Sequence, residues 1–97
     1  MPEYRLSKSA KKDLLQIANY GDEHFGITQS NKYRDQLKKR FLMLVEQPLL
    51  YPAVDYIQAG YRRSLCGVHS IYYRIENGSV EIMRVLGRQD VTVLKTD

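Results

Sequence analysis

Ninety-seven residues, 43% apolar and 27% charged, amount to one domain, 1–97, of ordinary globular composition with room for a single modest core. There is no apolar run of about eighteen residues to cross a membrane, no apolar stretch of an export signal behind Met-Pro-Glu-Tyr-Arg-Leu, and one cysteine, Cys66, which cannot form an internal disulfide; these predict the reducing cytoplasm. A net charge of +4 is basic without the one-sidedness of a protein that lives on nucleic acid, so no specific DNA binding is expected.

The chain begins with a short strand pattern, Pro2 to Leu6, in which Tyr4 and Leu6 alternate with Glu3 and Arg5. Ser7 offers an oxygen to the free amides of a helix start. From Lys8 to about Phe25, the residues Ala10, Leu14, Ile17, Ala18 and Phe25 recur at helical spacing, with Lys11, Lys12 and Asp13 turned outward. Gly26 suits a helix end with positive φ. Thr28 is the expected cap of a second helix, whose inner face is Tyr33, Leu37, Phe41, Leu44 and Val45 and which Pro48 stops. So short a connection makes the two an antiparallel hairpin.

Leu49 to Gly60 lacks a clean period and reads as an ordered loop. The period then becomes two: Tyr61–Cys66, Val68–Ile75 and Val80–Gly87 read as strands, joined by a tight turn at Gly67 and by Asn77-Gly78, a strong hairpin signal. The last strand carries Val80, Ile82 and Leu86 on one face and Met83 and Val85 on the other, which makes it central. The tail from Val91 is either a short strand or a frayed end. The predicted class is α+β, with an N-terminal strand and an antiparallel helical hairpin packed on one face of a small, mostly antiparallel sheet. The other face is expected to lie open, lined with arginine and tyrosine, as a dock for an extended or helical partner.

Few residues suggest catalysis or metal binding. His69, in a strand, reads as a hydrogen-bonded structural histidine. Cys66-x-x-His69 lacks the further ligands that a metal needs, since only the distant His24 remains. Asp22 and Glu23 are adjacent on a helix and diverge, so they form a solvated surface. The run Lys38-Lys39-Arg40 reads as the wet face of the second helix. No catalytic residue, metal or cofactor is assigned. Tyr51, Tyr56, Tyr61, Tyr72 and Tyr73 suit base stacking and protein contact equally. After Pro48 every basic residue except Lys95 is an arginine, the type that pairs in bidentate fashion with carboxylate or phosphate.

The order of motifs resembles the RelE/ParE superfamily of toxins. Tyr4-Arg5-Leu6-Ser7 with Ala10, Asp13, Leu14, Ile17 and Tyr20 is similar to "Y-x-L-S-x-x-A-x-x-D-L-x-x-I-x-x-Y". Phe25-Gly26-Ile27-Thr28-Gln29-Ser30 with Tyr33 and Leu37 resembles "F-G-x-x-Q-A-x-x-Y-x-x-x-L". Gly60-Tyr61-Arg62-Arg63, Gly67-Val68-His69-Ser70-Ile71-Tyr72-Tyr73-Arg74-Ile75 and Ile82-Met83-Arg84-Val85-Leu86 with Arg88 and Asp90 resemble the sheet motifs. The match runs in order from Tyr4 to Asp90.

The resemblance implies the toxin of a type II toxin–antitoxin pair, a plasmid-stabilising class of system, which is blocked in a hetero-oligomer by a cognate antitoxin of ribbon-helix-helix type. In the ParE branch the implied target is DNA gyrase; in the RelE branch, the alternative reading, it is messenger RNA cut on the ribosome. Nuclease relatives place an arginine before the apolar-apolar-Tyr stretch, where this chain has Ser70, and Gly87 stands where a histidine is common. Serine neither neutralises a phosphate nor moves a proton usefully near neutral pH, which favours inhibition by binding over cutting. The expected antitoxin contacts are Arg62, Arg63, Arg74, Arg84 and Tyr72. Arg88 is expected at the target or as a residual phosphate contact. Arg62 and Arg63, being neighbours in a strand, face opposite ways.

Overall fold

A computed structural model describes residues 3–87, which build β1 (Tyr4–Leu6), α1 (Lys8–Phe25), α2 (Ile27–Glu46), β2 (Arg62–Cys66), β3 (His69–Glu76) and β4 (Ser79–Gly87). The sheet order is β1-β4-β3-β2. β1 runs parallel to β4, and the other pairs are antiparallel hairpins. This is the expected α+β architecture, with β2, β3 and β4 each within a residue of their predicted spans, β1 starting at Tyr4 where Pro2 was expected, and β4 central. Asn77 and Gly78 both take positive φ, 54° and 75°, in the turn between β3 and β4, as a two-residue hairpin requires.

The helical hairpin covers one face of the sheet. Ala10, Leu37, Phe41 and Leu44 pack on Ile71, Tyr73, Val80, Ile82 and Val85, all buried. Removing a whole side chain here, as in Leu37→Ala, costs about 2–5 kcal/mol. Ser7 caps α1 as expected, its Oγ accepting from Ala10 N at 2.9 Å, and it also donates to Met83 O at 2.7 Å. The cap therefore ties the helix start to the far strand.

The structure corrects several expectations. Thr28 caps nothing: α2 begins at Ile27, and Gly26, at φ 84°, is both the end of α1 and the cap of α2, with no side-chain bond. Phe25 is 64% exposed at the tip of the hairpin, where α1 has run past the sheet. Asp13 does not turn outward; it is 7% exposed. Arg40 leaves the wet face, donating to Ser64 Oγ at 2.8 Å and Leu65 O at 2.5 Å, with its guanidinium over the Tyr51 ring.

The faces of β4 also differ from the simple alternation. A register shift between Tyr72 and Tyr73 pairs them with Arg84 and Ile82, leaving Met83 as the extra residue of a bulge. The bulge reverses parity, so Val85 joins Val80 and Ile82 beneath the helices while Leu86 faces the other way. That second face is not left open. The loop before β2 folds across it, and Val54 is buried against Tyr72 and Leu86, with Ile57 and Tyr61 alongside. The loop is anchored by a bridge between Ala53 and Arg62 and by Arg63 N donating to Pro52 O at 3.1 Å.

Candidate functional site

A concavity of about 830 Å³ lies between the tip of the helical hairpin and the end of the sheet. Ile17, Tyr20 and Phe25 form its helical wall, and Val68, Val85 and Leu86 its sheet wall. Tyr20, Phe25 and Val68 are 58%, 64% and 68% exposed, so its rim presents large apolar groups to solvent. Such surface is what a protein partner covers. At the tip, Tyr20 stacks on His24 with centroids 3.9 Å apart, and Phe25 meets Tyr20 edge-on, which holds these rings in place before any partner arrives.

Three local contacts shape this groove. The first is the crossing of α1 and α2 at Gly21. A Cβ there would lie 2.6 Å from Ser30 Oγ, so glycine permits the close approach, and Ser30 donates back to Ala18 O at 3.4 Å. Nearby, Asp22 faces Arg34 across the hairpin at 3.8 Å, so this acid is half-buried and paired rather than simply solvated.

The second contact is the Tyr33 hydroxyl, which reaches from α2 to the turn between β2 and β3. It accepts from Val68 N at 3.3 Å and lies 3.1 Å from Cys66 O and 2.7 Å from His69 Nδ1. A hydroxyl has one proton, so it donates to the carbonyl or to the imidazole, and the His69 tautomer follows from that choice. Burial pushes the Tyr33 phenol above its ordinary range, outweighing the amide bonds that pull it down. His69 is thus a hydrogen-bonded histidine of the fold, as expected. Cys66, beside it, is buried at 6% exposed.

The third is Asp13. One oxygen accepts from Arg84 Nε at 2.8 Å and from Val85 N at 2.9 Å, and the other accepts from Arg84 Nη2 at 3.1 Å. A fork-to-fork pair of this kind is strong and directional.

The arginines expected to meet an antitoxin are for the most part already engaged. Arg62 donates to Tyr51 O at 2.7 Å. Arg74 bonds Glu81 at 2.8 Å and pairs with Glu76 at 2.7 Å. Arg84 is held by Asp13. Arg63 alone of the four makes no side-chain bond to another described residue, and it lies on the opposite face of β2 from Arg62, as strand alternation requires. Tyr72 is corrected: at 1% exposure its ring is the packing under the Val54 loop and offers a partner no surface. Arg88 and the tail from Val91 lie outside the described residues. Of the expected contacts only Arg84 borders the groove, and the apolar residues that shape it were given no site role; the signal available was Tyr20 and Phe25, quoted in the motifs but assigned to the core or left without a part.

Comparison with known proteins gives a consistent picture. The family described as "ParE toxin of type II toxin-antitoxin system, parDE" matches residues 4–92. A relative from Caulobacter vibrioides, "Toxin ParE1", is 38% identical over 86 residues, covering 89% of this chain and 88% of its own. "Toxin ParE1" of Mycobacterium tuberculosis is 31% identical over 90 residues, covering 91% and 92%. A solved structure titled "Chromosomal ParDE TA system from P. aeruginosa" superposes with a TM-score of 0.76 at 16% identity, over 90% of this chain and 96% of that one, and shares the fold.

Proposed function

Because this chain belongs to the ParE toxin family of type II toxin–antitoxin systems, we propose that it acts by binding rather than by cutting: it inhibits DNA gyrase, and a cognate antitoxin neutralises it by filling the groove between the hairpin tip and the sheet. The setting is the bacterial cytoplasm, and stabilising a plasmid fits such a pair.

The observation that carries the binding reading is the state of Ser70. Nuclease relatives place an arginine here. In this chain Ser70 is 3% exposed, set on β3 between Leu65 of β2 and Leu86 of β4, on the face that the Val54 loop crosses. At that position serine brings no cation to a phosphate, and the buried site offers it no open surface. Loss of one transition-state donor alone costs on the order of a hundredfold in rate.

Support for the groove as the antitoxin's seat comes from its apolar rim and its fixed aromatic anchors, which suit an amphipathic helix laid along it. Arg63, on the far face of β2, supports a second contact with an acidic stretch of an antitoxin of ribbon-helix-helix type, which would wrap from groove to sheet.

The test is a supercoiling assay. Purified toxin is expected to reduce supercoiling by gyrase, the antitoxin to restore it, and translated message to stay intact. Unaffected gyrase at large molar excess, or fresh cuts in message within minutes of induction, overturns the reading.

A further inference from the structure

Among the described residues, β4 has two strand neighbours for only part of its length. β1 pairs with it at Val80, Glu81 and Ile82 and then stops. The backbone ladder nevertheless continues, carried by the start of α1. Ser7 N donates to Ile82 O at 2.9 Å, and Ser7 Oγ donates to Met83 O at 2.7 Å. Two turns further along, Asp13 accepts from Val85 N. A helix thereby does what a strand would do, one group at a time.

We propose that Asp13 is the positioning residue of the groove: it fixes the sheet wall, Val85 to Gly87, where β1 gives no support, and so sets the affinity for whatever occupies the groove. This rests on the groove being the antitoxin's seat. The geometry argues for it in three ways. The carboxylate is buried and bidentate, so its position is defined. It holds a side chain and the next residue's amide at once, which fixes strand twist as well as placement. The residues that follow, Leu86 and Gly87, line the groove directly, and the bulge at Met83 lies immediately before the held segment. Bulged strands bend and twist locally, so a clamp just past the bulge selects one course for the wall.

The effect on binding is separable from an effect on stability. Asp13→Asn keeps an oxygen for Val85 N and loses the charge that holds Arg84; Asp13→Ala loses both. Val80→Ala, at the opposite end of β4 and outside the groove, serves as a control for general destabilisation. With the cognate antitoxin as the probe, Asp13→Asn is expected to weaken binding about tenfold and Asp13→Ala more, beyond any loss seen for Val80→Ala at a matched fall in Tm. Amide exchange, read on the free toxin, is expected to speed at Val85 and its neighbours while Ile71 and Val80 keep their protection. An affinity for Asp13→Asn equal to wild type, a loss no larger than that of the control, or exchange that speeds evenly along β4 overturns the proposal. If wild-type toxin does not bind the antitoxin, the reading of the groove is what fails, and the exchange pattern then decides whether Asp13 holds the wall.

Discussion

Tyr33 and Gly67 are shaped for each other: a Cβ on Gly67 would lie 2.6 Å from Tyr33 Cε1, and Gly67 sits at φ 60°, so the residue that lets the turn form also leaves room for the ring that pins it. Gly67→Ala is therefore expected to cost about 1–3 kcal/mol, from the strained φ and the displaced ring together. Tyr33→Phe keeps the ring and loses the hydroxyl bonds to the turn, at about 1–2 kcal/mol. Urea denaturation of each variant measures both. Equal stability of Gly67→Ala and wild type would show that the turn is not held by this fit.

Alkaline stability follows from two phenols, half-buried Tyr33 and buried Tyr73. Burial raises Tyr33 and Tyr73 above the ordinary value of 10.0, and Tyr73 also donates to Pro48 O at 2.7 Å. Unfolded tyrosines ionise first, so the folded state binds more protons above about pH 10. Both forms are protonated at neutral pH, so stability is unchanged until about pH 10 and falls as pH climbs from 10 through the folded values. Tyr33→Phe and Tyr73→Phe are each expected to flatten that fall, read as urea midpoints across the alkaline range. A wild-type midpoint that does not move with alkaline pH contradicts the assignment.

Arg40 closes the outer end of β2. Its guanidinium meets Ser64 Oγ, Leu65 O and the Tyr51 ring together, and Ser64 is fully buried. Arg40→Ala is expected to destabilise by about 1–3 kcal/mol, since it strips a charge-assisted donor from a buried hydroxyl and an edge carbonyl. Arg40→Lys is expected to recover little, because an ammonium cannot reach both oxygens and cover a ring in one geometry. Chemical denaturation of the pair decides it; full rescue by lysine would show that only the charge matters.

Restoring the nuclease-type arginine is expected to fail. Ser70→Arg places a guanidinium at a site 3% exposed, between leucines of the neighbouring strands. The expected outcome is a loss of several kcal/mol, about 3 or more, with no gain in cleavage of message. A folded variant that cuts translated RNA would show that the Val54 loop opens.

Much of the fold was legible because its signals are local. The inner face of α2, the Asn77-Gly78 hairpin and the cap at Ser7 each depend on a few adjacent residues, and each forms as read. What local pattern could not reveal is the bulge. Val80 and Ile82 set one parity and Val85 the other, and strict alternation has no place for the extra residue, although adjacent Val85 and Leu86, both buried, were the available sign that the chain changes face.

The site was harder to read, for a reason Asp13 makes plain. It stands beside Lys11 and Lys12 at the border of the helix's wet side, and only its partner, 71 residues away, explains its burial. Arg84 was noticed as a cation without its acid, and Arg74 without Glu81. Long-range pairing turned surface candidates into internal braces, while the apolar groove arose from the ends of elements whose directions no single stretch of sequence specifies.

The parallel pairing of β1 with β4 carries one more consequence. Tyr4 lies beside Val80, so the first strand has no neighbour until almost the whole chain has been made. Contacts this distant in sequence are slow to form and close late. A growing chain can assemble its helical hairpin early, yet the central strand that completes both the core and the groove is the last of the described elements to be made. A chain that stops short of β4 is then incomplete, and a partner that reads the finished groove would meet only molecules in which β4 has been made.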